Sequence, residues 1–193
     1  MNKVRSSFEP IVNSEDWDMP GGKMSNDDFF RPSFVEETQT VEFQRYQGDV
    51  LDLARAFLTM ASMTDKKLQK LCYYAKAWYL ALNDENLISE PFEAWVHGAV
   101  QPKLYWEYKP YGFNTIPQNQ NDIETIPEEF LDFAKMIYAS YGDLDGNQLE
   151  RLNHSEMPWI NARRGLRPWQ PGHNIISEED MKTYFRSLIK ENE

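Results

Sequence analysis

From Asp49 onward the apolar residues fall at helical spacing. Val50, Leu53, Ala54, Phe57, Leu58 and Ala61 recur at steps of three and four, which places them on one face of a helix. Thr64 then offers a capping oxygen to a second helix, TDKKLQKLCYYAKAWYLALN. Its inward stripe reads Leu68, Leu71, Cys72, Ala75, Trp78, Tyr79 and Leu82. Tyr73, Tyr74 and Leu80 widen that stripe, so this helix is expected at the centre, contacted on two sides.

The pattern is less regular over 83–126. Asn83-Asp84-Glu85-Asn86 reads as a turn, and PFEAWVHGAVQP, bracketed by Pro91 and Pro102, as a compact loop or short helix. Pro102 can open a short helix carrying Leu104, Tyr105, Trp106 and Tyr108, closed near Pro110 and Gly112. Pro127 opens another, with Glu128 and Glu129 in its first turn and Phe130, Phe133, Ala134, Ile137, Tyr138 and Tyr141 facing inward. Residues 146–153 form a short helix with Leu149 and Leu152 inside. HSEMPWINARRGLRPWQPG reads as irregular and broken by proline, and Ser177-Glu178-Glu179-Asp180 resembles a capping box for a last helix through Met181, Tyr184, Phe185 and Leu188. The expectation is a mainly α, compact, single-domain fold of about six helices over 48–193.

Residues 1–47 show no sustained period and hold 5 basic and 9 acidic residues, with isolated rings such as Phe8, Trp17, Phe29, Phe30, Phe34 and Phe43. This reads as an extended, acidic, aromatic-containing arm. The whole chain carries 20 basic and 31 acidic residues, a formal charge of −11. That balance argues against nucleic acid as a direct partner and against an anionic membrane surface, both of which call for clustered Lys and Arg. No apolar run approaches the ~20 residues that span a bilayer. The start has no apolar signal segment, and the single cysteine, Cys72, suits a reducing compartment. A cytoplasmic protein is expected.

The chemistry-bearing motifs are mostly absent: no GxGxxG, GxxxxGK[ST], GxSxG, CxxC or HExxH occurs. The three histidines, His97, His154 and His173, do not share ligand spacing, and His154-Ser155-Glu156 lacks the cysteine pair that would complete a deaminase zinc site. His97 and His154 are read as hydrogen-bonding in tight turns, and Cys72 as a small hydrophobe on the inward stripe. No cofactor, no metal and no catalysis are expected. Arg151, Arg163, Arg164 and Arg167 cluster in an otherwise acidic chain, either as a solvated face or as a landing site for an acidic segment, of a partner or of the arm. Trp95, Trp106, Trp159 and Trp169 are core residues or interface anchors, and a domain this small is expected to leave one or two exposed.

Three stretches taken together, KLQKLCYYAKAWYLAL, PFEAWVHGAVQPKLYWEYKPYG and YGDLDGNQLERLNHSEMPWINARRG, resemble the Panacea domain family, also known as SocA-like or GepA-like phage-associated proteins. The resemblance covers roughly 48–190. It places Leu68, Gln69, Leu71, Tyr73, Ala75 and Trp78 in a signature helix, Glu93, Trp95, Gly98 and Val100 in a loop, and His154, Pro158 and Trp159 in a late turn. It implies a bacterial or prophage antitoxin that neutralises a cognate protein toxin by direct binding. The alternative is a proteolytic adaptor that delivers a toxin to a protease; a hydrolase or metal enzyme using His97 or His154 ranks below both. Candidate partner-binding residues are Trp17, Phe29 and Phe30 in the arm, with Trp95, His97, Trp106, His154, Trp159, Arg163 and Arg164 in the domain. Two features depart from the family pattern. The usual Gly-Pro-Val is here Gly98-Ala99-Val100, which adds an N–H donor and suggests a looser loop, and the arm lies outside the pattern.

Overall fold

The computed structural model describes residues 49–121 and 123–190. Asp49 starts the first helix: its carboxylate accepts from the Leu51 amide at 2.8 Å and caps α1 (Val50–Leu58). A short strand, β1 (Met63–Thr64), leads into α2 (Asp65–Asn83), with the Thr64 hydroxyl accepting from the Lys67 amide at 3.4 Å. Then come β2 (Glu93–Trp95), β3 (Gly98–Val100), α3 (Pro102–Tyr108) and a 3-10 turn at Lys109–Tyr111. The chain continues through β4 (Thr115–Ile116), α4 (Glu128–Tyr141), α5 (Gly146–Ser155), α6 (Met157–Ala162) and α7 (Glu178–Lys190). β1 pairs antiparallel with β4, and β2 with β3.

α2 is the axle. Every residue from Leu68 to Ala81 is buried, and α1, α4, α5, α7 and β3 pack around it. A helix covered on all sides needs apolar or fully partnered residues all round, and rings supply most of them. Phe185 of α7 meets Tyr73, Tyr74 and Trp78 edge-on at 6.3, 6.1 and 5.1 Å. Tyr74 stacks flat on Tyr141 of α4 at 4.2 Å, and the Trp78 indole N–H donates to the Tyr141 hydroxyl at 2.8 Å.

The seven helices of the described residues include one the sequence pattern misses: α6, inside the stretch read as irregular. Pro158 lies in its first turn, where a missing N–H is no loss, so this proline starts a helix and does not break one. The 91–102 stretch, read as a loop or short helix, is the β2–β3 hairpin; its strands are three residues each, too short for alternation to show. Leu82, assigned to the inward stripe, stands 38% exposed in the last turn of α2. Tyr138 is only half-buried. The expected arm, with Trp17, Phe29 and Phe30, lies outside the described residues. None of the helices among the described residues is long and apolar enough to cross a membrane.

Candidate functional site: the hairpin and its polar floor

The β2–β3 hairpin turns through Val96 and His97, with Trp95 paired to Gly98. Gly98 has φ +95°, a left-handed conformation that side chains resist, and a Cβ there would sit 2.6 Å from Lys70 Cε and 2.8 Å from Asn153 Oδ1. Glycine is thus required both by the backbone and by the floor beneath it.

That floor is built of buried polar side chains holding main chain. Lys70 Nζ donates to the Ala99 carbonyl at 2.9 Å. Gln69 accepts from the Gln101 amide at 2.9 Å and donates to its carbonyl at 3.4 Å. Asn153 of α5 accepts from the Ala99 amide at 2.6 Å and donates to Glu156 at 3.0 Å; Tyr74 donates to the other Glu156 oxygen at 2.9 Å. Burial pushes the Glu156 carboxyl up to about 8, outweighing the two donors that favour its ionised form. Burial also draws the Lys70 ammonium down to about 7, although Glu150 nearby favours its charge. The added N–H of Ala99 is thereby the anchor of β3, so the departure from Gly-Pro-Val fastens the hairpin and does not loosen it.

The second side of the hairpin is clamped by α6 and the loop after it. Trp159 donates its indole N–H to the Trp95 carbonyl at 3.1 Å. Arg163 is buried, at 6% exposure, and gives its guanidinium to the carbonyls of Ala94 at 2.9 Å, Gln170 at 2.7 Å, and Arg167 and Pro168 at 3.3 Å. It also lies 5.1 Å from the Trp159 ring centre. Its donors are spent on backbone, so Arg163 belongs neither to a solvated face nor to a landing site: it fastens β2 to the 167–170 loop. Ala94 and Ile176 complete the attachment, with Ala94 donating to the Asn174 carbonyl and Ile176 to that of Phe92, both at 2.8 Å.

The candidate residues therefore divide. His154 stacks on Trp159 at 4.1 Å, half-buried; burial holds its imidazole below the ordinary value, with Glu150 pulling the other way. His97 is exposed and pairs with Glu150 at 2.9 Å, whose other oxygen takes Lys66 at 2.6 Å. Burial pushes the Glu150 carboxyl up, but those two partners outweigh it and hold it below the usual range. Trp95 is half-buried, bonded to Glu93 at 2.7 Å and edge-on to Tyr105 at 5.1 Å. Arg164 is exposed, on Asn161 at 3.0 Å. Trp106 stands 62% exposed on α3, with Lys109 Nζ 4.2 Å from its ring centre. His97, His154, Trp95, Trp159 and Arg163 thus gather on one hairpin; Trp106 stands next to it through Tyr105, 5.3 Å away ring to ring.

Reactive chemistry is sparse there. Cys72 is fully buried in α2, and burial raises its thiol well above the ordinary value, which leaves it protonated. No group of three or more His, Cys, Asp or Glu among the described residues is placed to hold a metal ion. The residues missed by sequence reasoning are Lys70, Asn153, Glu156 and Tyr74. Lys70 carried the one available signal, a charge on a helix otherwise destined for burial.

In comparison with known families, residues 68–160 match the family described as Antitoxin SocA-like, Panacea domain. Over those residues the chain is similar to the Panacea domain family. Among curated proteins and solved structures, no match was found.

Proposed function

We propose that this chain is an antitoxin that neutralises a cognate protein toxin by direct binding, without catalysis of its own. The family match over residues 68–160 is the observation that carries this reading. The distribution of side chains supports it. Beneath the hairpin Lys70 is engaged with a backbone carbonyl and Glu156 with Asn153 and Tyr74, and large rings are displayed outward at Trp106, Phe113 and Trp169, with exposures of 62, 103 and 70%. Exposed rings of this kind serve as anchors in protein interfaces.

The experiment is co-expression with the product of the adjacent gene, scored by growth and by co-purification. Rescue of growth together with a stable complex is expected. Rescue that vanishes in a protease-deficient host would replace direct inhibition by delivery to a protease. A neighbouring product that is harmless alone would leave the antitoxin reading without a partner and count against it.

A further inference from the structure

α3 and the turn after it expose three large rings. Trp106 and Phe113 are exposed at 62 and 103%, and Tyr111 at 37%. Several exposed rings on one short stretch suit a contact surface. Of its two lysines, Lys103 is already paired with carboxylates of neighbouring elements, whereas Lys109 lies over the Trp106 ring, 4.2 Å from its centre.

The chain enters the described fold beside this surface. Asp49, the first described residue, forms an ion pair with Lys103 in the first turn of α3, and the Glu90 carboxylate lies 3.5 Å from the same ammonium. One helical turn, about 5 Å, separates Lys103 from Trp106. The sequence immediately upstream, FVEETQTVEFQRYQG over 34–48, contains Phe34, Phe43 and Tyr46 and carries Glu36, Glu37 and Glu42 against Arg45, 1 − 3 = −2. Phe43 is six residues before Asp49, a reach of at most about 20 Å. A tethered segment of this kind has an effective concentration in the mM range, so even a weak site is filled.

We propose that residues 34–48 dock on the outer face of α3 of their own chain, with Phe43 and Phe34 against Trp106, Tyr111 and Phe113, and the glutamates toward Lys109. The arm then covers the exposed rings of α3 and the turn after it. This inference does not rest on the antitoxin reading, because it is tested on the chain alone.

The test uses the full-length chain and follows the Trp106 indole N–H resonance by NMR, assigned with Trp106→Phe, together with hydrogen exchange over 102–116. Two variants, Phe34→Ala/Phe43→Ala and Glu36→Lys/Glu37→Lys/Glu42→Lys, are expected to shift that resonance and to speed exchange of the 102–116 amides by about tenfold. Adding Lys109→Glu to the triple lysine variant is expected to slow exchange of the 102–116 amides again. A Trp106 signal unmoved by both upstream variants overturns the proposal. A shift that depends on protein concentration also overturns it, since the arm of a second copy would then be the occupant.

Discussion

Gly98 shows how tightly the hairpin is fitted at the level of single atoms. Its φ of +95° and the 2.6 Å approach of Lys70 Cε to a would-be Cβ act together. Gly98→Ala is expected to destabilise the domain by about 2–3 kcal/mol, combining left-handed strain with displacement of Lys70 and Asn153. Chemical denaturation measures it, and a cost below about 0.5 kcal/mol would mean that the floor yields freely. Glu156 gives a second expectation, in pH. Its folded carboxyl titrates near 8, against an ordinary 4.5. A group raised in the fold contributes stability that is complete below the unfolded value and is lost as pH rises through the folded one. Glu156→Gln keeps an acceptor for Tyr74 and removes the titration. Its stability relative to the parent should therefore increase steadily from about pH 4.5 to about pH 8, read from melting temperatures across that window. A difference flat in pH would show that Glu156 is ionised in the fold.

At the scale of elements, α2 sets the fold, and its two ends behave differently. Leu71 is fully buried, whereas Leu82 is 38% exposed. Leu71→Asp leaves an unpaired charge in the core and should unfold the domain, while Leu82→Asp should shift stability by about 0.5 kcal/mol or less. Circular dichroism melts of the pair decide it; native-like melting of Leu71→Asp would remove α2 from the centre. α1 and α4 were legible because burial of one face leaves a period in the sequence, and α2 because its apolar residues spread beyond a single stripe. So were two caps, Thr64 of α2 and Ser177 before α7, which bond the amides of Lys67 at 3.4 Å and Asp180 at 3.2 Å. The β2–β3 hairpin was not legible. Its three-residue strands are held by Lys70, Gln69 and Asn153 from other elements, and contacts of that kind leave no local pattern. α6 was hidden because proline signals either the start of a helix or its end, and only the neighbouring packing of α5 and α7 distinguishes them. Trp95, His154 and Trp159 were singled out one by one in the sequence, and the fold brings them together at the hairpin; the buried role of Arg163 depends on carbonyls at Ala94 and Gln170, far apart in sequence.

For the whole molecule, the question is whether its surface acts by recognition or by reaction, and the two histidines of the hairpin region separate these outcomes. His97 is exposed and held by Glu150, itself engaged by Lys66, so its ring is positioned by an ion-pair chain at the surface. His154 lies against Trp159 with its imidazole held below the ordinary value by burial, which favours the neutral form at neutral pH. A neutral ring stacked on an indole is a packing element, and truncating it should loosen α5 against α6. His154→Ala is therefore expected to lower the melting temperature, by several degrees for about 1 kcal/mol in a domain of this size. His97→Ala, which removes only an exposed pair, should leave melting nearly unchanged. If the protein works by binding, each variant that remains folded should still rescue growth against its toxin, because neither ring supplies a reaction step. The measurement is rescue scored beside affinity and melting on the same preparations. A folded variant that binds the toxin with parental affinity yet fails to rescue would mean that an imidazole takes part in chemistry, and binding alone would no longer account for neutralisation.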